Sequence, residues 1–139
     1  MKKKILLIAG GYSNEREISL QTAKSVYLEL KKNKKYNLKI SEPDGNFIKK
    51  LRLFKPDVAL NLLHGRYGED GYIQSILESE KVKYTHSGVM SSSIAIDKEL
   101  SKKLFIKNKI LTPKYIKFIF KKNIVKKNII NNVKKKLDF

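Results

Sequence analysis

The sequence predicts an α/β protein built on an open parallel sheet with helices on both faces. Three observations carry this. Ile5 to Ala9 is an unbroken apolar run closed by Gly10-Gly11, the pattern of a strand buried on both faces of a parallel sheet. Val58 to Leu63 is a second such run, entered through Pro56-Asp57 and followed at once by HGRYGEDG. Between and beyond these runs apolar residues recur at helical spacing, and the resulting βαβα alternation argues for parallel strands joined by right-handed crossovers.

Each element has its own signal. The first helix is expected from about Glu15, with Asn14 placed to cap it, Glu17 three residues on, and Ala23, Val26, Tyr27 and Leu30 repeating along one face. Leu38 to Ser41 reads as a short second strand, ended by the turn Pro43-Asp44-Gly45. A short helix over Phe47 to Phe54 precedes the third strand, Val58 to Leu63. A further helix carries Ile73, Ile76 and Leu77 on its apolar face and leads to a fourth strand near Lys83 to Thr85. Ser91 to Asn108 reads as helical, broken or restarted near Asp97. After Leu111-Thr112-Pro113 the character changes. Tyr115 to Phe120 suits a strand, while Val125, Ile129, Val133 and Leu137 recur every four residues and suit a very basic helix.

Composition narrows the class. A chain of 139 residues has room for about one compact domain with a real core. It contains no cysteine, which excludes disulfides and thiolate metal sites and is compatible with a reducing cytoplasm. The opening MKKKILLIAGG imitates a secretory signal, but ILLIA falls short of the roughly 7–15 apolar residues such a signal needs, and no stretch approaches the roughly 18 of a membrane span. The formal charge is +18. Residues 1–100 hold 18 Lys+Arg against 12 Asp+Glu, and residues 101–139 hold 13 against 1, so the excess is +6 in the first stretch and +12 in the second. Only Arg16, Arg52 and Arg66 are arginine, although arginine dominates specific phosphate and base recognition. The basic tail is therefore the only support for nucleic-acid binding.

The chemistry concentrates at two loops that leave strands at the carboxyl edge of the sheet, where ligands gather in such folds. Gly10-Gly11 opens neither a G-x-G-x-x-G fingerprint nor a Walker loop, and by itself it is consistent with a tight turn. Glu15 has two readings: an acid that favours a helix N-terminus, or a carboxylate at the mouth of the sheet that holds a substrate ammonium. His64 stands where an apolar strand ends. Gly65, Gly68 and Gly71 recur every third residue beside it, which lets the backbone turn sharply and approach a ligand. Glu69 and Asp70 are placed to cap the next helix or to orient His64 and Arg66. His64 and His86 lack the local partners of a zinc motif, and no metal ligands are assigned. No G-x-S-x-G elbow occurs. Taken alone, Lys98 in AIDKELSKK reads as a solvated helix lysine.

Four spaced segments, GGYSNEREISL (10–20), NLLHGRYGEDGYIQSILE (61–78), YTHSGVMSSSIAIDK (84–98) and LTPKY (111–115), together closely resemble the amino-terminal part of bacterial D-alanine:D-alanine ligases, members of the ATP-grasp superfamily. The resemblance implies a Rossmann-like substrate domain over 1–111, preceding an ATP-grasp domain of which residues 112–139 hold only the first strand and helix. It implies that Glu15 holds the ammonium of the first D-alanine and joins a catalytic hydrogen-bonded network. It places His64 and Gly65 in the turn lining that substrate's pocket, and Lys98 on the nucleotide side. The implied reaction uses ATP and magnesium to phosphorylate one D-alanine, whose acyl phosphate is attacked by the amine of a second; the dipeptide supplies peptidoglycan synthesis in the cytoplasm. The residues that grasp ATP and magnesium are expected to lie outside this sequence, so the chain alone is expected to be inactive. A homodimer, or a separate chain completing the site, fits the same resemblance. The alternatives are a non-catalytic module of this fold, serving dimerisation or regulation, and a basic nucleic-acid binder.

Overall fold

The computed structural model describes residues 1–118 together with residues 130, 133–135 and 137. They form two compact units, Met1–Asp97 and Lys98–Phe139.

The first unit is organised by a three-stranded parallel sheet in the order β2-β1-β3, with β1 at Lys3–Ile8, β2 at Tyr36–Ser41 and β3 at Val58–Asn61. Central β1 pairs with β2 from Lys3↔Tyr36 to Ile8↔Ser41, and with β3 from Ile5↔Val58 to Ile8↔Asn61. A central strand has no solvent-facing side, which is why its sequence is a continuous apolar run rather than an alternating one: Ile5, Leu6, Leu7, Ile8 and Ala9 are all buried. The fourth strand expected near Lys83 to Thr85 is reduced to a single parallel bridge, Ala59↔Tyr84. Two backbone hydrogen bonds frame it, from Ala59 N–H to the Lys83 carbonyl and from Thr85 N–H to the Ala59 carbonyl. Beyond the bridge, the next inward donor of β3, the Asn61 N–H, goes to the Thr85 hydroxyl (3.1 Å).

Four helices complete this unit: α1 (Arg16–Lys31), α2 (Phe47–Phe54), α3 (Tyr72–Ser79) and α4 (Val89–Ile96). Leu6, Ile8 and Ala59 of the sheet form one core with Phe47 and Leu51 of α2, Leu63, and Ile73 and Leu77 of α3. Because side chains alternate along a strand, Ile5 and Leu7 face the other way. There α1 packs against β1 and β2, with Ala23 buried. Asn14 does not cap α1. The helix begins one residue later than that cap requires, with Glu15 at the capping position and no side-chain cap, because Ser13 takes the hydrogen bonds that shape the entry.

The second unit opens with α5, Lys98–Lys107. The break from α4 falls at Asp97, whose backbone is extended (φ −81°, ψ 99°), where the sequence places it. Lys102 donates to Thr112 Oγ1 (2.9 Å) and to the Pro113 carbonyl (2.6 Å), and its ammonium lies 5.3 Å from the Tyr115 ring. Lys117 reaches back to Glu99. No regular element is assigned from Thr112 to Phe118. The rest of the expected strand, and most of the basic helix expected after it, lie outside the described residues; Ile130, Val133 to Lys135 and Leu137 are helical.

Candidate functional site

Parallel strands deliver their carboxyl ends to one edge, so the loops after β1 and β3 emerge side by side. Two serines and one ion pair set how they meet. Ser19, fully buried on α1, accepts the Gly10 N–H (2.8 Å) and donates to the Leu62 carbonyl (2.6 Å), joining the exits of both strands through one hydroxyl. Ser13, in the first loop, donates to the His64 carbonyl (2.7 Å) and accepts the Glu15 N–H (3.1 Å). Glu42, just past β2, grips Arg16 with both oxygens, at 2.7 Å from Nη2 and 3.1 Å from Nε, and accepts the Gly11 N–H at 3.3 Å. This fork raises the Arg16 guanidinium above its usual pKa, chiefly through the Glu42 hydrogen bonds and charge.

The loop after β3 is rigidified from beneath. The carbonyl of Gly68 receives Asn61 Nδ2 (2.7 Å) and Gln74 Nε2 (2.9 Å), both from buried side chains, and Asn61 Oδ1 accepts the Leu63 N–H (3.2 Å). Gly68 sits so close to Leu63 that a Cβ there would stand 2.2 Å from the leucine Cβ, a separation only glycine permits. Glu69 neither caps α3 nor orients His64 or Arg66. Its carboxylate folds back onto the Gly65 N–H (2.8 Å) and closes its own loop. Asp70 does serve the helix entry, accepting the Tyr72 N–H at 3.1 Å.

These constraints bring Glu15 to the second loop. A Cβ built on Gly65 would lie 3.1 Å from Glu15 Oε2, so the carboxylate rests against the Gly65 backbone. Glu15 is exposed, and its carboxylate makes no hydrogen bond or ion pair among the described residues. The neighbouring His64 is half-buried, with Nε2 shielded from solvent and without a hydrogen-bond partner. An open carboxylate and an unsatisfied imidazole nitrogen therefore belong to two loops held together by Ser13. A cleft of about 580 Å³ borders the same loops, lined by Tyr12, Pro43, Leu63, Arg66, Tyr67 and Tyr72 among others. Neither Glu15 nor His64 lines it, so the cleft adjoins the polar pair without containing it. Lys98 is the first residue of the second unit and of α5.

Ser13, Ser19 and Glu42 escaped the reading of the sequence. Ser19 did leave a trace: it precedes Ala23 by four residues, which puts a hydroxyl on the apolar stripe of α1. Ser13 stands two residues before Glu15, the spacing at which a hydroxyl serves a backbone turn. Glu42 carried no local signal, since its partners lie 26 and 31 residues away. Among the described residues no three His, Asp or Glu side chains gather to hold a metal ion.

No family model matches the chain. Known proteins do. All 139 residues align at 63% identity with the D-alanine–D-alanine ligase of Pelagibacter ubique (strain HTCC1062), covering 45% of that protein. The ligase of Wolbachia pipientis wMel is 45% identical over 126 residues, 90% of this chain and 39% of its own length. Among solved structures, the Bacillus anthracis D-alanine–D-alanine ligase complexed with ATP superposes with a TM-score of 0.74 at 32% identity, covering 93% of this chain and 44% of the other. The chain thus spans less than half the length of the relatives it matches. The similarity runs along the whole of it, in sequence and in fold, and what the chain resembles throughout is the amino-terminal part of D-alanine–D-alanine ligases.

Proposed function

We propose that these residues form the first-substrate side of an ATP-dependent D-alanine:D-alanine ligase, an enzyme that makes the D-alanyl-D-alanine dipeptide for peptidoglycan synthesis in the cytoplasm. The observation that carries the reading is the Glu15 carboxylate, exposed, unpaired among the described residues and set against the Gly65 backbone beside His64. A carboxylate held open at the carboxyl edge of a parallel sheet is suited to an ammonium group, and charge-assisted hydrogen bonds of this kind are the strong ones. In this reading Glu15 holds the amine of the first D-alanine. His64, with an unsatisfied ring nitrogen, and the Gly65 backbone border the same small zwitterion. Lys98, at the start of the second unit, serves the nucleotide side. Residues 1–111 form the substrate domain, and 112–139 begin the ATP-grasp domain.

The test is a binding titration of the chain with D-alanine, followed by the amide signals of Glu15, His64 and Gly65 in nuclear magnetic resonance. D-alanine is expected to shift these three in a saturable way and L-alanine to do so far less. Glu15→Gln, which keeps size and removes charge, is expected to abolish the response while leaving the fold intact. A response that survives Glu15→Gln, or one confined to the tyrosine-lined cleft, sinks the assignment. With ATP and D-alanine both supplied, the chain alone is expected to release no ADP above background.

A further inference from the structure

We infer that Ser13 is a positioning residue of this site: its hydroxyl sets the separation of Glu15 from the His64–Gly65 backbone, and so the span available to the substrate. The inference rests on the reading of Glu15 and His64 given above and adds to it a residue that touches neither reacting group with its own charge.

One oxygen makes both contacts. Ser13 Oγ accepts the Glu15 N–H at 3.1 Å and donates its own proton to the His64 carbonyl at 2.7 Å. A hydroxyl has one proton to give and lone pairs to receive, so this arrangement satisfies the side chain in a single geometry. The two bonded partners are the backbones of the two residues that form the polar pair. The Ser13 Cβ lies 3.5 Å from the position a Cβ on Gly65 would occupy, and Glu15 Oε2 lies 3.1 Å from it, so serine, carboxylate and glycine backbone meet at one point. The Ser19 hydroxyl holds the strand exits together below, between Gly10 and Leu62. Ser13 acts one step further out, between the loop tips. Its loss leaves the sheet and core untouched and releases only the relative placement of Glu15 and His64.

That division of labour is measurable. In Ser13→Ala, amide hydrogen exchange at Glu15 is expected to quicken about five- to tenfold, the loss of one hydrogen bond, and exchange at Gly65 in the second loop to quicken with it, while Leu6, Leu7 and Ile73 in the core keep their wild-type protection. D-alanine affinity is expected to fall by a similar factor, with a melting temperature close to wild type. Ser13→Thr keeps the hydroxyl and is expected to restore both readouts, whereas Ser13→Val, of the same size without a hydroxyl, is expected to restore neither. Unchanged exchange at Glu15 in Ser13→Ala overturns the inference, as does a core that loses protection in step with Glu15. If the wild-type chain itself fails to respond to D-alanine, the functional reading falls, and exchange at Gly65, in the second loop, still decides whether Ser13 couples the loops: a Gly65 amide unchanged in Ser13→Ala overturns the inference.

Discussion

Glu15 and Gly65 lie fifty residues apart in the sequence, yet the carboxylate of one rests on the backbone of the other. Glu15 Oε2 is 3.1 Å from the place a side chain on Gly65 would begin, and Gly65 has φ +69°. A methyl group there both meets the carboxylate and occupies a left-handed backbone, which costs an L-residue roughly 1–2 kcal/mol. Gly65→Ala is therefore expected to lower stability by about that amount in urea unfolding, and to weaken D-alanine binding by more than the stability loss explains. A variant that binds and unfolds like wild type shows that the two loops do not meet in solution as described.

Ser19→Ala is expected to be the costliest single change near the site. It strands the Gly10 N–H and the Leu62 carbonyl where one fully buried hydroxyl serves both. An unsatisfied buried polar group costs about 1–3 kcal/mol, so a loss of about 2 kcal/mol or more is expected, read as a lower urea midpoint with an unchanged slope. A shift of only a few tenths would mean that water replaces the hydroxyl.

Arg16 offers the opposite case. Its fork with Glu42 has good geometry, but the two side chains are 44% and 37% exposed, and solvent screening limits such pairs to about 1 kcal/mol or less. Arg16→Met is expected to cost less than Ser19→Ala despite removing more atoms and a charge, and the cost is expected to shrink further at high salt. Comparing the two variants at low and high ionic strength checks the ranking.

Glu99 makes the second unit sensitive to acid. Its hydrogen bonds to Lys103 and Lys117 pull the carboxyl from the usual 4.5 down to about 2. A folded pKa below the unfolded one means the stabilisation is complete above pH 4.5 and disappears as pH falls through about 2. Glu99→Gln is thus expected to weaken α5 at neutral pH and to match wild type near pH 2, a convergence visible in the helical signal of circular dichroism. Curves that stay separated down to that pH would show that another group holds the helix.

The sequence by itself determined the sheet class, the second helix to the residue, the break at Asp97 and the two loops that carry Glu15 and His64. These signals are local. A doubly buried strand reads as an apolar run, glycine and proline mark where the chain turns, and parallel strands send their exits to the same edge. The tertiary structure alone decided how those exits are tied. Ser13 finds the His64 carbonyl, Ser19 the Leu62 carbonyl and Glu42 the Arg16 fork across 51, 43 and 26 residues, distances over which no periodicity reaches. It also decided that Asn14 yields the helix entry to Ser13, that Glu69 closes its own loop, and that the edge strand shrinks to a bridge at Tyr84. A short polar side chain hydrogen-bonds whatever backbone group the sheet order brings within reach, so its role is settled only when the β2-β1-β3 arrangement exists.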